Sequence, residues 1–393
     1  MRILHIIQGT NKEQAGLVYA LISLLNMERE LGFQSEVLSI DHAAPPRDQV
    51  VELATALHLF PATFPARFYQ SSGALDWLKA HAQEYDLIQI HSIWNFLTIE
   101  GSKIAQKKGV PYVIWPHGAL DHFDLQKKSY LKKILGPLFV QKALQGANHL
   151  CFTAQREVDE STSYGAETAP VVLPLPIDMP EATEEDQAAS LAFRQKWGLT
   201  EEDFVLLFLS RIDYKKGLNL LLPALGELAE TYPQLKLIMA GGYQTPYMQK
   251  VREWISTYKL EDRVVLPGFV SGEEKKWAFQ AADAFVLPSL NENFGIAVVE
   301  SLFYGLPVLI TDNVYIHDQI DQQGGWVCPY EVAGVKNAIQ RMIEEPDAWQ
   351  LMRSQAKTVA HKFSMECLQP AFAAFYQSLS PKAKPPTPVS LKS

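Results

Sequence analysis

The chain has 393 residues, 47% hydrophobic and 20% charged, with a formal net charge of −9. That length implies two or three domains with cores of ordinary size, and the acidic balance argues against nucleic-acid binding through overall charge. Three cysteines, Cys151, Cys328 and Cys367, are too few and too scattered for a disulfide framework or a zinc site.

Arg2 to Gln8 reads as a first strand, and the polar-broken MRILHIIQG is too short for a signal peptide. No apolar run reaches the roughly 18 residues of a membrane span, and the cysteine usage makes the reducing cytoplasm the expected home. Gly16 to Leu31 reads as an amphipathic helix with Leu17, Ala20, Leu21, Leu24 and Leu25 inward. The loop between them sits where a strand–loop–helix unit presents ligands. G-x-G-x-x-G is absent, so this is no dinucleotide fingerprint. Glu36 to Ile40 is the second strand, and His42 to Pro65 reads as proline-broken and irregular. Asp86 to His91 and Pro111 to Trp115 are further strands, each ending in a polar tip that carries His91 or His117. From Gln126 to Gln145 there are five lysines and no acid, interleaved with Leu131, Ile134, Leu135, Leu138 and Phe139. Two readings stand for that stretch. One is a solvated helix face, broken at Gly136-Pro137; the other is a patch for anionic lipid or a lipid-linked acceptor. Asn148 to Phe152 is another strand, and Glu181 to Gln187 reads as a linker.

The second half starts again with a strand, Phe204 to Leu209, then Arg211, Lys216 and Gly217 at the turn into a helix. Arginine can fork onto phosphate oxygens and lysine adds a point charge. Leu235 to Ala240 and Val264 to Val270 continue the alternation. Ala284 to Leu287 is a buried strand, Phe294 to Tyr304 a helix, and Val308 to Thr311 the next strand. Trp326 to Pro329 reads as a late edge strand, Val332 to His361 as mostly helix, and Met365 to Leu379 as a last helix before a loose, proline-rich tail.

Glu300 is out of place. Its helical neighbours are Ile296, Ala297, Phe303 and Tyr304, and the helix has no water-facing side. A buried carboxylate needs a partner, either neighbouring backbone or a ligand offering hydroxyls. Glu292 stands eight positions earlier, and Asn293 to Gly295 would aim free N–H groups at an anion.

Glu292-x7-Glu300 within NENFGIAVVE, with flanking PS, FG and YGLPV, resembles the signature of retaining glycosyltransferase family 4. Arg211, Lys216 and Gly217 match that family's basic loop, and Trp-Pro-His-Gly around His117 its histidine–glycine loop. The resemblance implies an α/β GT-B architecture, two Rossmann-like doubly wound domains facing a central cleft. The expected parts are an acceptor-side domain over 1–180, a donor domain over 181–364, a helix crossing back over 365–380 and a tail over 381–393. It implies a nucleoside diphosphate sugar as donor, UDP-glucose by family frequency, and a glycan or lipid-linked acceptor of exopolysaccharide type. His117, Arg211, Lys216 and Glu292 would serve catalysis. Gly16, Val270, Asn293, Phe294, Gly295, Ile296 and Glu300 would join Arg211, Lys216 and Glu292 in holding the donor. In the family the Gly16 loop usually carries a glycine pair, and Gly16 stands alone. No cofactor and no metal are expected, since cationic side chains would cover the diphosphate. A retaining glycosidase using Glu292 and Glu300, a sugar-nucleotide epimerase and a non-catalytic sensor are the rivals. The glycosidase leaves Arg211 and Lys216 without a role.

Overall fold

A computed structural model describes residues 1–11, 15–41, 48–63, 70–126, 129–178, 183–243 and 246–379. The chain forms two compact units: Met1–Pro176 with the chain from Met365 onward, and Ile177–Ser364. No helix among the described residues is long and apolar enough to cross a membrane.

In the first unit, strands alternate with helices, so the sheet is parallel. It comprises β1 (Arg2–Ile6), β2 (Gln34–Asp41), β3 (Ala56–Pro61), β4 (Leu87–His91), β5 (Tyr112–Trp115), β6 (His149–Phe152) and β7 (Pro170–Val172). Their order is β3-β2-β1-β4-β5-β6-β7. On one face Leu4, Ile6, Ile88, Ile90 and Ile114 pack with Leu78, Leu97 and Ile104. On the other, Ile3, Leu87, Val113 and Trp115 pack with Leu24, Met27, Leu368, Phe372 and Phe375. The helix Met365–Leu379 is thus a core member of this unit, and each such side chain contributes about 1.5–3 kcal/mol by burial.

The stretch expected to be irregular, 42–65, contains a helix at Asp48–Leu53 and the edge strand β3. Proline ends that strand at Pro61, where an edge tolerates a missing N–H. Next to it Glu36 is held by Arg2 (2.7 Å), His58 (2.8 Å) and Tyr85 (2.7 Å). Burial by itself would raise this carboxyl, but the three partners outweigh it and bring it down to about 2. Gly136-Pro137 does not break the lysine-rich helix. Residues Gly136–Val140 widen into one π turn between Ser129–Leu135 and Gln141–Gln145, closed by the Gln141 N–H on the Gly136 carbonyl. A Cβ at Gly136 would strike the Tyr164 ring.

The second unit has β8 (Phe204–Leu209), β9 (Leu235–Ala240), β10 (Val264–Gly268), β11 (Ala284–Leu287), β12 (Val308–Thr311) and β13 (Gly325–Cys328). Their order is β10-β9-β8-β11-β12-β13, again parallel, with β13 at an edge. The expected linker over 181–187 is instead partly helix. Thr183 and Asp186 form a reciprocal capping box that starts Glu184–Lys196, and 179–182 lie outside the described residues. The strand order reverses between β1 and β4 in one sheet and between β8 and β11 in the other. Doubly wound sheets bind ligands at such points.

Candidate functional site

The loops after β8 and β11 flank the second unit's switch point. Asp213 accepts from the Lys215 N–H (3.0 Å) and opens a short turn, Tyr214–Lys216. Gly217 then takes a left-handed backbone, φ +76°, and a Cβ there would run into the Pro288 carbonyl. Glycine is required for both reasons. The Leu290 N–H donates to the Lys215 carbonyl (2.7 Å), and Glu292 exchanges main-chain bonds with Asn313 and Tyr315 (3.1 and 3.0 Å). The two loops are therefore locked together, and Lys216 Nζ donates to Glu292 Oε2. Both side chains are mostly buried, 12% and 17% exposed. Arg211 is exposed and has no ion pair among the described residues.

Gly295, left-handed at φ +75°, starts the helix Ile296–Phe303. Its first N–H groups have no partner within the helix and lie on the same loop as Glu292. Glu300 is 8% exposed, and Lys275 Nζ donates to its Oε1 at 2.5 Å. Phe294 is buried edge-on against Phe363 (5.5 Å) and Val270 is buried as well. Both keep their side chains in the core.

Gly16 and His117 belong to the first unit. Gly16 is exposed near the start of Ala15–Glu30, with open space around its Cα, and 12–14 lie outside the described residues. His117 follows β5 with a left-handed backbone, φ +51°, and Glu157 holds its loop by accepting the Gly118 N–H (2.8 Å). Its Nε2 meets His91 Nδ1 (3.0 Å), His91 Nε2 meets His5 Nδ1 (2.9 Å), and His5 Nε2 meets Glu28 (2.8 Å). Burial pushes His117 down to about 3 and His91 well below the usual histidine range. Burial also acts to raise Glu28, but His5, Ser35 and Tyr376 reverse the sign and hold it low.

The profile described as "Glycosyl transferases group 1" matches residues 190–359, and a "Glycosyl transferase 4-like domain" matches 17–176. The chain belongs to glycosyltransferase family 4. Its architecture is GT-B. A Streptococcus pneumoniae relative, alpha-monoglucosyldiacylglycerol synthase, is 26% identical over 68% of this chain and 61% of its own length. This glycosyltransferase thus spans less than two thirds of that relative. The 2-deoxystreptamine glucosyltransferase of Streptomyces kanamyceticus is 25% identical over 83% of this chain and 89% of its own. Among solved structures, Anabaena HepE in complex with UDP and glucose superposes with a TM-score of 0.76 at 20% identity, covering 96% of this chain and 100% of that one.

Four residues that the structure joins to these groups were not singled out in the sequence: Lys275, Glu28, His5 and Gln89. Lys275 looks like its neighbour Lys276, and only the packing of Gly272–Gln280 selects which one reaches Glu300. Glu28 lies on a helix whose inward face reads as apolar. His5 and Gln89 did leave a signal: β1 and β4 are buried, yet β1 carries His5 and β4 carries Gln89 and His91. A strand covered on both faces usually reads as continuously apolar. In the lysine-rich stretch, Lys132 turns inward to Asp124 (3.2 Å), while Lys133 and Lys142 are exposed and Lys127 and Lys128 lie outside the described residues. Ile134, Leu135, Leu138 and Phe139 are 58%, 39%, 56% and 40% exposed. Val140, Ala143 and Leu144 of the same segment are buried in the core of the first unit, so the segment has a core-facing side and an outer side that carries both lysines and apolar residues.

Proposed function

We propose that this glycosyltransferase moves a hexose from a nucleoside diphosphate sugar to a glycan or lipid-linked hydroxyl with retention at the anomeric carbon. Our first choice of donor is UDP-glucose. The observation that carries this reading is the meeting of Lys216 and Glu292 at a switch point, beside an uncommitted Arg211 and a helix start. When the anomeric C–O bond breaks, negative charge grows on the diphosphate. Arg211, Lys216 and the N–H groups around Asn293, Gly295 and Ile296 would stabilise it most at that moment. Glu292 would take hydroxyls of the sugar. Glu300, with one oxygen on Lys275, would offer the other to the ribose. Val270 and Phe294 would contribute main-chain groups, and Gly16 would stand in the first unit's ligand loop. We assign His117 to the transferred sugar. With no nucleophile assigned, the leaving oxygen itself would help deprotonate the acceptor on the same face. The choice of UDP and glucose is supported by the HepE complex and by the glucosyl names of relatives.

The glycosidase alternative needs two carboxyls roughly 5 Å apart, one acting as acid and one as nucleophile. Here each carboxylate is tied to its own lysine. The test is release of UDP from UDP-glucose with and without acceptor glycans, alongside thermal shifts with UDP, GDP and ADP. Acceptor-dependent UDP release is the expected result. Nucleotides without effect on melting would overturn the donor assignment.

A second surface supports a lipid partner. Four neighbouring exposed apolar side chains with Lys133 and Lys142 fit an anionic membrane interface.

A further inference from the structure

We propose that Glu28, His5 and His91 form a buried proton relay that makes the remaining ring nitrogen of His117, Nδ1, alternate between hydrogen-bond acceptor and donor. The carboxylate end sets the direction. Glu28 is 0% exposed and accepts from the Ser35 and Tyr376 hydroxyls (2.5 Å each) and the Gln89 amide N–H (2.5 Å); a carboxylate only accepts, so the His5 Nε2–H is its fourth donor. With His5 neutral, its Nδ1 is a lone pair. His91 must then donate from Nε2, which leaves His91 Nδ1 bare, and His117 must donate from Nε2. The remaining nitrogen of His117, Nδ1, is then an acceptor. The ring planes are tilted by only 21° and 11° along this line, which is compatible with hydrogen bonds lying in the ring planes.

One proton reverses every link. A proton arriving on His117 Nδ1 lets Nε2–H pass its proton to His91 Nδ1. His91 Nε2–H then passes its own to His5 Nδ1. His117 and His91 end neutral in the opposite tautomer, and His5 carries both protons and the positive charge against the Glu28 carboxylate. Charge leaves the two rings where burial opposes it and settles beside its counter-ion.

The groups facing the line are Ser35 from β2, Gln89 from β4, Trp115 from β5, where its indole N–H holds Gln89 (2.8 Å), and Tyr376 from Met365–Leu379. Burial keeps the Tyr376 hydroxyl and the nearby Cys151 thiol protonated. Glu157 lies at the far end, on the Gly118 N–H. Glu28, His5 and His91 act through His117 and are positioning residues. The inference rests on the sugar assignment of His117 only for the use made of the proton.

The test is two-bond ¹H–¹⁵N correlation on the full chain labelled with ¹⁵N-histidine, with His117→Gln used for assignment. The pH is lowered from about 9 to about 5, the span in which histidine charge changes. His117 and His91 should both exchange Nε2–H for Nδ1–H at one midpoint while staying neutral, and His5 should gain its second proton at the same midpoint. A single His117 tautomer throughout, or a second proton on His117 itself, overturns the relay. His5→Gln removes the resting place for the charge and should abolish the tautomer switch; an unchanged switch is equally fatal. If that variant does not fold, the wild-type titration still decides. No donor is present, so the outcome is independent of the sugar assignment. That assignment fails separately, if His117→Gln keeps wild-type turnover.

Discussion

Replacing Glu292 by glutamine should tighten nucleoside diphosphate binding while lowering turnover. Lys216 gives one of its N–H donors to Glu292 Oε2, and neither side chain is more than 17% exposed. A diphosphate arriving at Lys216 therefore meets a carboxylate that competes for the ammonium and repels the phosphate. At an effective dielectric near 20, two unit charges about 6 Å apart interact by roughly 3 kcal/mol, and salt lowers this further. About half should survive, so UDP is expected to bind ~10-fold more tightly, or ~1.4 kcal/mol. Turnover should fall all the same, because glutamine is a weaker acceptor for sugar hydroxyls. The companion variant, Lys216→Ala, loses a donor aimed at developing charge and should lower turnover about 100-fold or more, with a smaller loss of affinity. Calorimetric UDP binding and initial rates on both variants make the comparison. UDP binding that weakens or stays unchanged in Glu292→Gln would refute the competition argument. Lys216→Ala at wild-type turnover and affinity would place the diphosphate elsewhere.

Arg211→Lys keeps the charge and removes the planar fork, so a turnover loss on the order of 10-fold or more is expected if the contact is bidentate; equal rates would make Arg211 a solvated charge. Activity should persist in EDTA, and loss restored by Mg²⁺ or Mn²⁺ would show that the cationic groups do not suffice. Replacing Ile134, Leu138 and Phe139 by serine, or reversing Lys133 and Lys142, should release the protein from anionic vesicles, each lysine near the surface contributing about 1 kcal/mol; wild-type protein that ignores such vesicles at low salt removes the membrane reading. Glu36 has its carboxyl depressed to about 2. Its stabilisation is complete above the unfolded value, near 4.5, and is lost as pH falls from there toward 2. Acid unfolding of Glu36→Gln should lack that part of the slope, on the order of 2–3 kcal/mol; identical acid transitions would show that the Arg2, His58 and Tyr85 contacts do not stabilise the charged form.

Apolar runs alternating with helical stretches made most strands of both units legible in the sequence, because burying strands on both faces demands that composition, while the pairing of two doubly wound domains came from the family resemblance. The second unit's loops were legible too. Arg211, Lys216, Gly217, Glu292 and Gly295 lie at turns, where local backbone needs restrict the residue types. The edge strand at Ala56–Pro61 and the capped start of Glu184–Lys196 were lost among proline and acidic residues that also mark loops. What only the tertiary structure decided is which charged group meets which. Lys216 finds Glu292 across 76 residues, Lys275 rather than Lys276 finds Glu300, and Glu28 gathers His5, Ser35, Gln89 and Tyr376 from four separate elements. Periodicity along the chain reports which face of an element is buried. It carries no information about the partner brought against that face, since the partner is set by strand order and register.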